Sequence, residues 1–165
     1  MLLEAWPTVR RRVPSATLVL VGDGPERGRL EELAGDGVVF AGATHDVVRH
    51  LSAADVVAVC SRWEGMSLSV LEAMACGRAI VATEVAGIRE ALGDTGVVVP
   101  SEAPDAFADA VADLLLDPAR VDTYGHSARD RALTHHDLGA ACARVAHLTA
   151  ELALGGDAVT TRWTA

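Results

Sequence analysis

Glu64 and Glu72 stand with seven residues between them in the run Ser61-Arg62-Trp63-Glu64-Gly65-Met66-Ser67-Leu68-Ser69-Val70-Leu71-Glu72. A carboxylate accepts two hydrogen bonds at once and so can hold a pair of neighbouring hydroxyls. Between the two acids, the backbone N–H groups of Met66, Ser67 and Leu68 fall at an expected helix start, where unsatisfied donors and the helix dipole form an anion site. Two carboxylates beside such donors suit a ligand that carries hydroxyls and phosphates together.

The elements that must position these groups are readable. Asp55-Val56-Val57-Ala58-Val59-Cys60 is an apolar, β-branched run of the kind that suits a strand covered on both faces. Glu64 then lies in the loop leaving that strand, with Gly65 permitting close backbone approach. Ser67 is placed to cap a helix carrying Leu68, Leu71, Met74 and Ala75 at helical spacing, with Glu72 one to two turns inside it. In open α/β sheets ligands bind at this carboxyl end of the strands.

Five apolar runs read as strands, over Thr17–Val21, Val38–Ala41, Val56–Cys60, Ala79–Ala82 and Gly96–Val99. Helical stretches over Leu2–Arg12, Glu26–Ala34, His45–Ala53, Ser67–Cys76 and Ile88–Leu92 alternate with them, which calls for crossovers and a parallel sheet. Three more helices follow, over Pro104–Leu116, Ala119–Thr134 and Leu138–Leu154, the last capped by Asp137. A single domain over 1–154 and a frayed tail over 155–165 complete the layout.

The stretch from Ser61 to Cys76 resembles the signature of retaining glycosyltransferases of family 4, with their Glu-x7-Glu pair. Four other motifs occur in the family's order: Leu18-Val19-Leu20-Val21-Gly22-Asp23-Gly24-Pro25, Gly77-Arg78-Ala79-Ile80-Val81-Ala82-Thr83, Ala86-Gly87-Ile88-Arg89-Glu90, and Thr95-Gly96-Val97-Val98-Val99-Pro100. The resemblance implies an α/β, Rossmann-like parallel sheet flanked by helices, the C-terminal half of the two-domain GT-B architecture, with its first strand missing. It implies a donor-binding domain for a nucleotide-diphosphate sugar, within an enzyme that transfers the sugar with retention. By resemblance Glu72 holds the nucleotide ribose, and Glu64, the catalytic candidate, contacts the donor sugar. Gly65, Met66, Ser67 and Leu68 line the donor, as do Gly22 and Gly24, whose Asp-Gly-Pro run is equally a plain turn. Gly42, in Phe40-Ala41-Gly42-Ala43-Thr44, marks the place where the family holds its base edge. No metal or other cofactor is expected.

Several departures bear on activity. The family's Arg and Lys that grip the diphosphate belong to a strand and loop upstream of Met1, and the chain has no lysine at all. The acceptor domain is likewise expected in an N-terminal half or a separate chain. Arg78, Ala79 and Ala86 differ from the usual residues and are expected to tune the donor pocket. The isolated chain is therefore expected to be inactive. Two alternatives stay open: a non-catalytic nucleotide-sugar-binding module, and half of a nucleotide-sugar epimerase, although no poised proton-abstracting group stands out.

Composition narrows the remaining classes. The chain has 165 residues, half of them hydrophobic, enough to bury roughly two thirds of its unfolded surface. A net charge of −9 repels phosphate backbones and argues against nucleic acid as a partner. There is no apolar stretch long enough for a transmembrane segment and no signal-peptide pattern, so a cytoplasmic location is expected. Cys60, Cys76 and Cys142 lack metal-ligand spacing, and the first two are expected in the core as reduced thiols. Among the histidines, His45 is expected near the sheet mouth, while His50, His126, His135, His136 and His147 are expected to face solvent. Ser67 and Ser69 have no placed base, and neither a dinucleotide fingerprint nor a P-loop is present.

Overall fold

The computed structural model describes residues 1–153; the expected domain end at 154 and the tail over 155–165 lie outside the described residues. In chain order the elements are α1 (Leu2–Arg12), β1 (Leu18–Val21), α2 (Arg27–Leu33), β2 (Val38–Gly42), α3 (Val47–Ala53) and β3 (Val56–Val59). They continue with α4 (Leu68–Ala75), β4 (Ala79–Thr83), α5 (Ile88–Leu92), β5 (Val97–Val99), α6 (Pro104–Leu115), α7 (Pro118–His135) and α8 (Leu138–Ala153). Every ladder is parallel, as the alternation of elements requires.

β4 is the centre of the body, buried at all five positions between β3 and β5. Its side chains alternate between two cores. Ile80 and Ala82 join Val70, Met74, Ile88 and Leu92 under α4, α5 and α7, while Ala79 and Val81 join Trp6, Val9, Phe107 and Leu114 under α1 and α6. The result is a three-layer α/β arrangement. The strands, however, form two sheets, β1–β2 and β3–β4–β5, and no ladder joins β1 to β3. Because β3 is therefore an edge strand, three of its four residues are only half-buried, where burial on both faces was expected.

Local chemistry accounts for the helix ends. Asp137 caps α8 as expected, accepting from the N–H of Ala140 at 2.7 Å, and Pro104 occupies the first turn of α6. Asp46 caps α3 through the N–H of Arg49 at 3.1 Å, which starts that helix at Val47 and leaves His45 in the loop. Ser67 stands at the cap position of α4 but makes no side-chain cap bond. Arg78 donates to Cys76 O at 3.0 Å and to Ala54 O at 3.2 Å, tying the C-terminal ends of α3 and α4 together at the start of β4. Arg78 and Ala79 thus lie at the end of β4 opposite Thr83, and their expected influence on a pocket at the sheet mouth has no structural basis.

Candidate functional site

The loop Cys60–Ser67 leaves β3 and turns into α4. Thr83, at the end of β4 and 1% exposed, donates its hydroxyl to Ser61 O at 2.6 Å, pinning the first turn of the loop to the central strand. Ser61 in turn donates its hydroxyl to Glu64 Oε1 at 2.7 Å, and Ser67 donates to the same oxygen at 3.3 Å. Ser67 is 2% exposed, so its hydroxyl is committed to Glu64 and unavailable to the helix. The carboxylate is thereby oriented through one oxygen, and Oε2 has no partner among the described residues. Ser61 and Thr83 escaped the sequence reading. Small hydroxyl residues beside strand ends are too common for their types alone to single them out.

The N–H groups of Met66, Ser67 and Leu68 donate to no acceptor among the described residues. They lie at the start of α4, where the helix dipole adds to their pull on an anion. The glycine whose conformation this turn requires is Gly87 rather than Gly65. A β-carbon at Gly65 meets nothing, whereas Gly87, with φ +81°, places its missing β-carbon against the Gly65 carbonyl.

Glu72 lies on an exposed face of α4, although its sequence neighbours are apolar, and its side chain forms no hydrogen bond or ion pair among the described residues. It lines, with Ser69, a cavity of about 1020 Å³ that runs between β1 and β3. Gly22, which follows β1 with φ +130°, lines the same cavity as Glu72. Gly24 and Gly42 do not line it. Gly24 donates its N–H to Asp23 Oδ1 at 2.8 Å in the turn before α2, and Gly42 ends β2 with φ +76° beside Arg27. Glu64, Gly65, Met66, Ser67 and Leu68 form their own cluster at the β3–α4 turn, outside the cavity lining.

His126, His135 and His147 are exposed as expected, while His45, His50 and His136 depart from expectation. His45 is exposed and does not line the cavity, while His50 does, with Nδ1–H donating to Asp46 O at 3.1 Å. His136 is half-buried and donates Nε2–H to Ala91 O at 3.0 Å. Cys60 and Cys76 are half-buried free thiols, Cys60 packed against the core beneath α6 as expected and Cys76 at the end of α4, and Cys142 is exposed. Among the described residues no group of three or more His, Cys, Asp or Glu is placed to hold a metal, and no helix is long and apolar enough to cross a membrane.

Comparison with known proteins places this geometry. Residues 1–117 match the family model described as glycosyl transferases group 1. The chain is 38% identical over 164 residues to a GDP-mannose-dependent alpha-(1-6)-phosphatidylinositol monomannoside mannosyltransferase of Mycolicibacterium smegmatis, covering 90% of this chain and 43% of that protein. It superposes on a sucrose-phosphate synthase of Thermosynechococcus elongatus with a TM-score of 0.81 at 29% identity, covering 94% of this chain and 43% of that one. The HepE protein of Anabaena in complex with UDP shares the fold, with a TM-score of 0.82 at 24% identity over 91% of this chain and 44% of that one. The chain thus spans less than half the length of each of these three proteins.

Proposed function

This chain belongs to the group 1 glycosyl transferases, and from that membership we propose that it is the donor-binding half of a retaining, family 4 enzyme that takes a hexose from a nucleotide-diphosphate sugar. The observation that carries the reading is the oriented Glu64 carboxylate beside the three open N–H groups of Met66, Ser67 and Leu68. Departure of a nucleoside diphosphate builds negative charge on its phosphates, and fixed donors aimed at that charge lower the barrier. The N–H groups at the start of α4 supply this without a metal. Glu64 accepts from hydroxyls of the donor sugar through its free oxygen. Glu72, exposed and with a side chain unpaired among the described residues, accepts from the two ribose hydroxyls. The acceptor domain and the cations that complete the diphosphate site come from polypeptide beyond the described residues, in the same or a separate chain, and the isolated chain holds donor without transferring it.

The relative from Mycolicibacterium smegmatis uses GDP-mannose and the Anabaena neighbour holds UDP, so these two nucleotides define the test. Calorimetric titration of the chain with GDP-mannose and with UDP-glucose is expected to show binding of one of them. Glu72→Ala is expected to weaken that binding about tenfold, a loss of about 1.4 kcal/mol. Absence of binding to either, or binding indifferent to Glu72→Ala, overturns the donor-site assignment. Sugar transfer by the chain alone overturns the division of labour.

A further inference from the structure

We propose that Ser67 is a positioning residue of the donor site, whose buried hydroxyl is withheld from the start of α4 and given to Glu64 so that one carboxylate oxygen is held inward and the other is aimed at the donor sugar. This role rests on the donor assignment above. It adds a residue that acts through Glu64 and whose own hydroxyl, in a side chain 2% exposed, does not meet the donor.

The backbone of Ser67 is that of a helix cap. It is extended, at φ −76° and ψ 103°, and its carbonyl accepts from Leu71 N–H at 3.1 Å, the first bond of α4. Elsewhere in the chain Asp46, Asp117 and Asp137 stand at the starts of α3, α7 and α8. Each accepts from the N–H three residues on, at 3.1, 3.1 and 2.7 Å. The counterpart for Ser67 is Val70 N–H. Val70 is wholly buried, and its N–H donates to no acceptor among the described residues. An unpaired buried N–H is unfavourable, and a serine hydroxyl at this position is its ordinary partner. The helix start is therefore left uncapped by a residue of the right type, with the right backbone, whose hydroxyl points elsewhere.

What the hydroxyl does instead is specific. Ser61 and Ser67 flank Glu64 three residues before and three after, and both donate to the same oxygen, Oε1, at 2.7 and 3.3 Å. A carboxylate held by one hydrogen bond can still swing about it. A second donor converging on the same oxygen from the buried side of the loop removes that swing and leaves Oε2 turned outward. A charged acceptor strengthens both bonds, which is why the hydroxyl favours Glu64 over the neutral N–H of the cap. An acid already fixed in one pose loses less freedom when a sugar hydroxyl reaches it, and that saving appears as affinity for the sugar. The chain thus forgoes a stabilising cap on α4 in exchange for a pre-oriented Glu64.

The test titrates the chain and Ser67→Ala calorimetrically with GDP-mannose and UDP-glucose, and with GDP and UDP alone. In the donor assignment Glu64 meets only the sugar. Ser67→Ala is therefore expected to weaken the sugar nucleotide about fivefold and to change the bare nucleotide by less than about twofold. In a Glu64→Ala background the same substitution is expected to have no further effect, because the residue through which Ser67 acts is gone. Two measurements need no ligand. The Glu64 carboxyl carbon resonance is expected to move in Ser67→Ala, and amide exchange at Val70 is expected to stay unchanged, since there is no cap to lose. An unaltered sugar nucleotide affinity, equal weakening with and without the sugar, additive losses in the double variant, an unmoved Glu64 resonance or faster exchange at Val70 overturns the proposal and leaves the donor assignment standing. Failure of the unaltered chain to bind any of the four overturns the donor assignment, and the positioning role falls with it.

Discussion

The backbone of Gly87 presses directly on the carbonyl of Gly65, so the turn that starts α5 and the loop that carries Glu64 meet without a side chain between them. Gly87 also holds φ at +81°, a conformation L side chains rarely adopt. Gly87→Ala therefore combines backbone strain with a collision against main chain, and the expected loss is about 3 kcal/mol. Urea unfolding measures the loss. Hydrogen exchange at Gly65 and Met66 is expected to rise in the variant, and an unchanged exchange pattern there contradicts the contact.

Thr83 and Ser61 form a relay from the central strand to the acid, Thr83 Oγ1 to Ser61 O at 2.6 Å and Ser61 Oγ to Glu64 Oε1 at 2.7 Å. Thr83→Val preserves shape and removes the buried donor, leaving the Ser61 carbonyl unpaired at an expected cost of about 1–2 kcal/mol. Ser61→Ala leaves that carbonyl bond in place and removes the shorter of the two hydrogen bonds to Glu64, leaving only that of Ser67 at 3.3 Å. Its expected stability change is below about 0.5 kcal/mol, with donor binding weakened about fivefold. Equal stability losses in the two variants contradict the relay.

Much of the architecture was legible because burial on β4 leaves its mark on composition. Ala79 to Thr83 is buried throughout, and its apolar run reads as a strand from sequence alone. Caps were legible where one short side chain had one local partner, as with Asp137 and the N–H of Ala140. Ser67 misled because its type fits a cap equally well, while its actual partner, Glu64, is fixed by the loop's tertiary geometry. Glu72 misled because apolar neighbours along a helix do not reveal that one face looks into a slot. His45 and His50 exchanged roles for a related reason. Asp46 caps α3 and sets the helix phase, turning His50 toward the cavity wall.

The ion pair of Glu84 with Arg89, at 2.7 Å, spans the same β4–α5 turn that contains Gly87. The Arg89 hydrogen bond and charge hold the Glu84 carboxyl below its ordinary value of 4.5, so its contribution to stability is present above that value and fades as pH falls below it. Both side chains are solvent-exposed, and the effect on stability is correspondingly small and salt-sensitive. Carboxyl NMR titration is expected to return Glu84 to its ordinary value in Arg89→Gln. The same titration midpoint in both proteins contradicts the pairing.

Gly125 of α7 makes a comparable approach to the Gly77 carbonyl at the α4–β4 turn, on the far side of the body from the acid loop. Gly125→Ala is expected to destabilise by about 2 kcal/mol, because the collision is with backbone rather than with a flexible side-chain end. Unlike Gly87→Ala, it is expected to leave exchange at Gly65 and Met66 unaltered. Loosening of the acid loop by Gly125→Ala contradicts this separation.

Trp6 touches both parts of the divided sheet. Its ring is packed in the core beneath α6, while its indole N–H donates to Asp36 O, at 3.1 Å, in the turn that feeds β2. Arg10, one helical turn further along α1, holds Ala16 O at 2.9 Å just before β1. No ladder joins β1 to β3, and α1 clasps the β1–β2 ribbon to the body, with an aromatic rivet at one end and a guanidinium at the other, while Leu18 and Val38 of the ribbon pack against the same core. Because Trp6 and Val9 also belong to the core that covers Ala79 and Val81, release of α1 unseats the ribbon and opens that core in one event, so the two parts of the sheet share a single fate through α1.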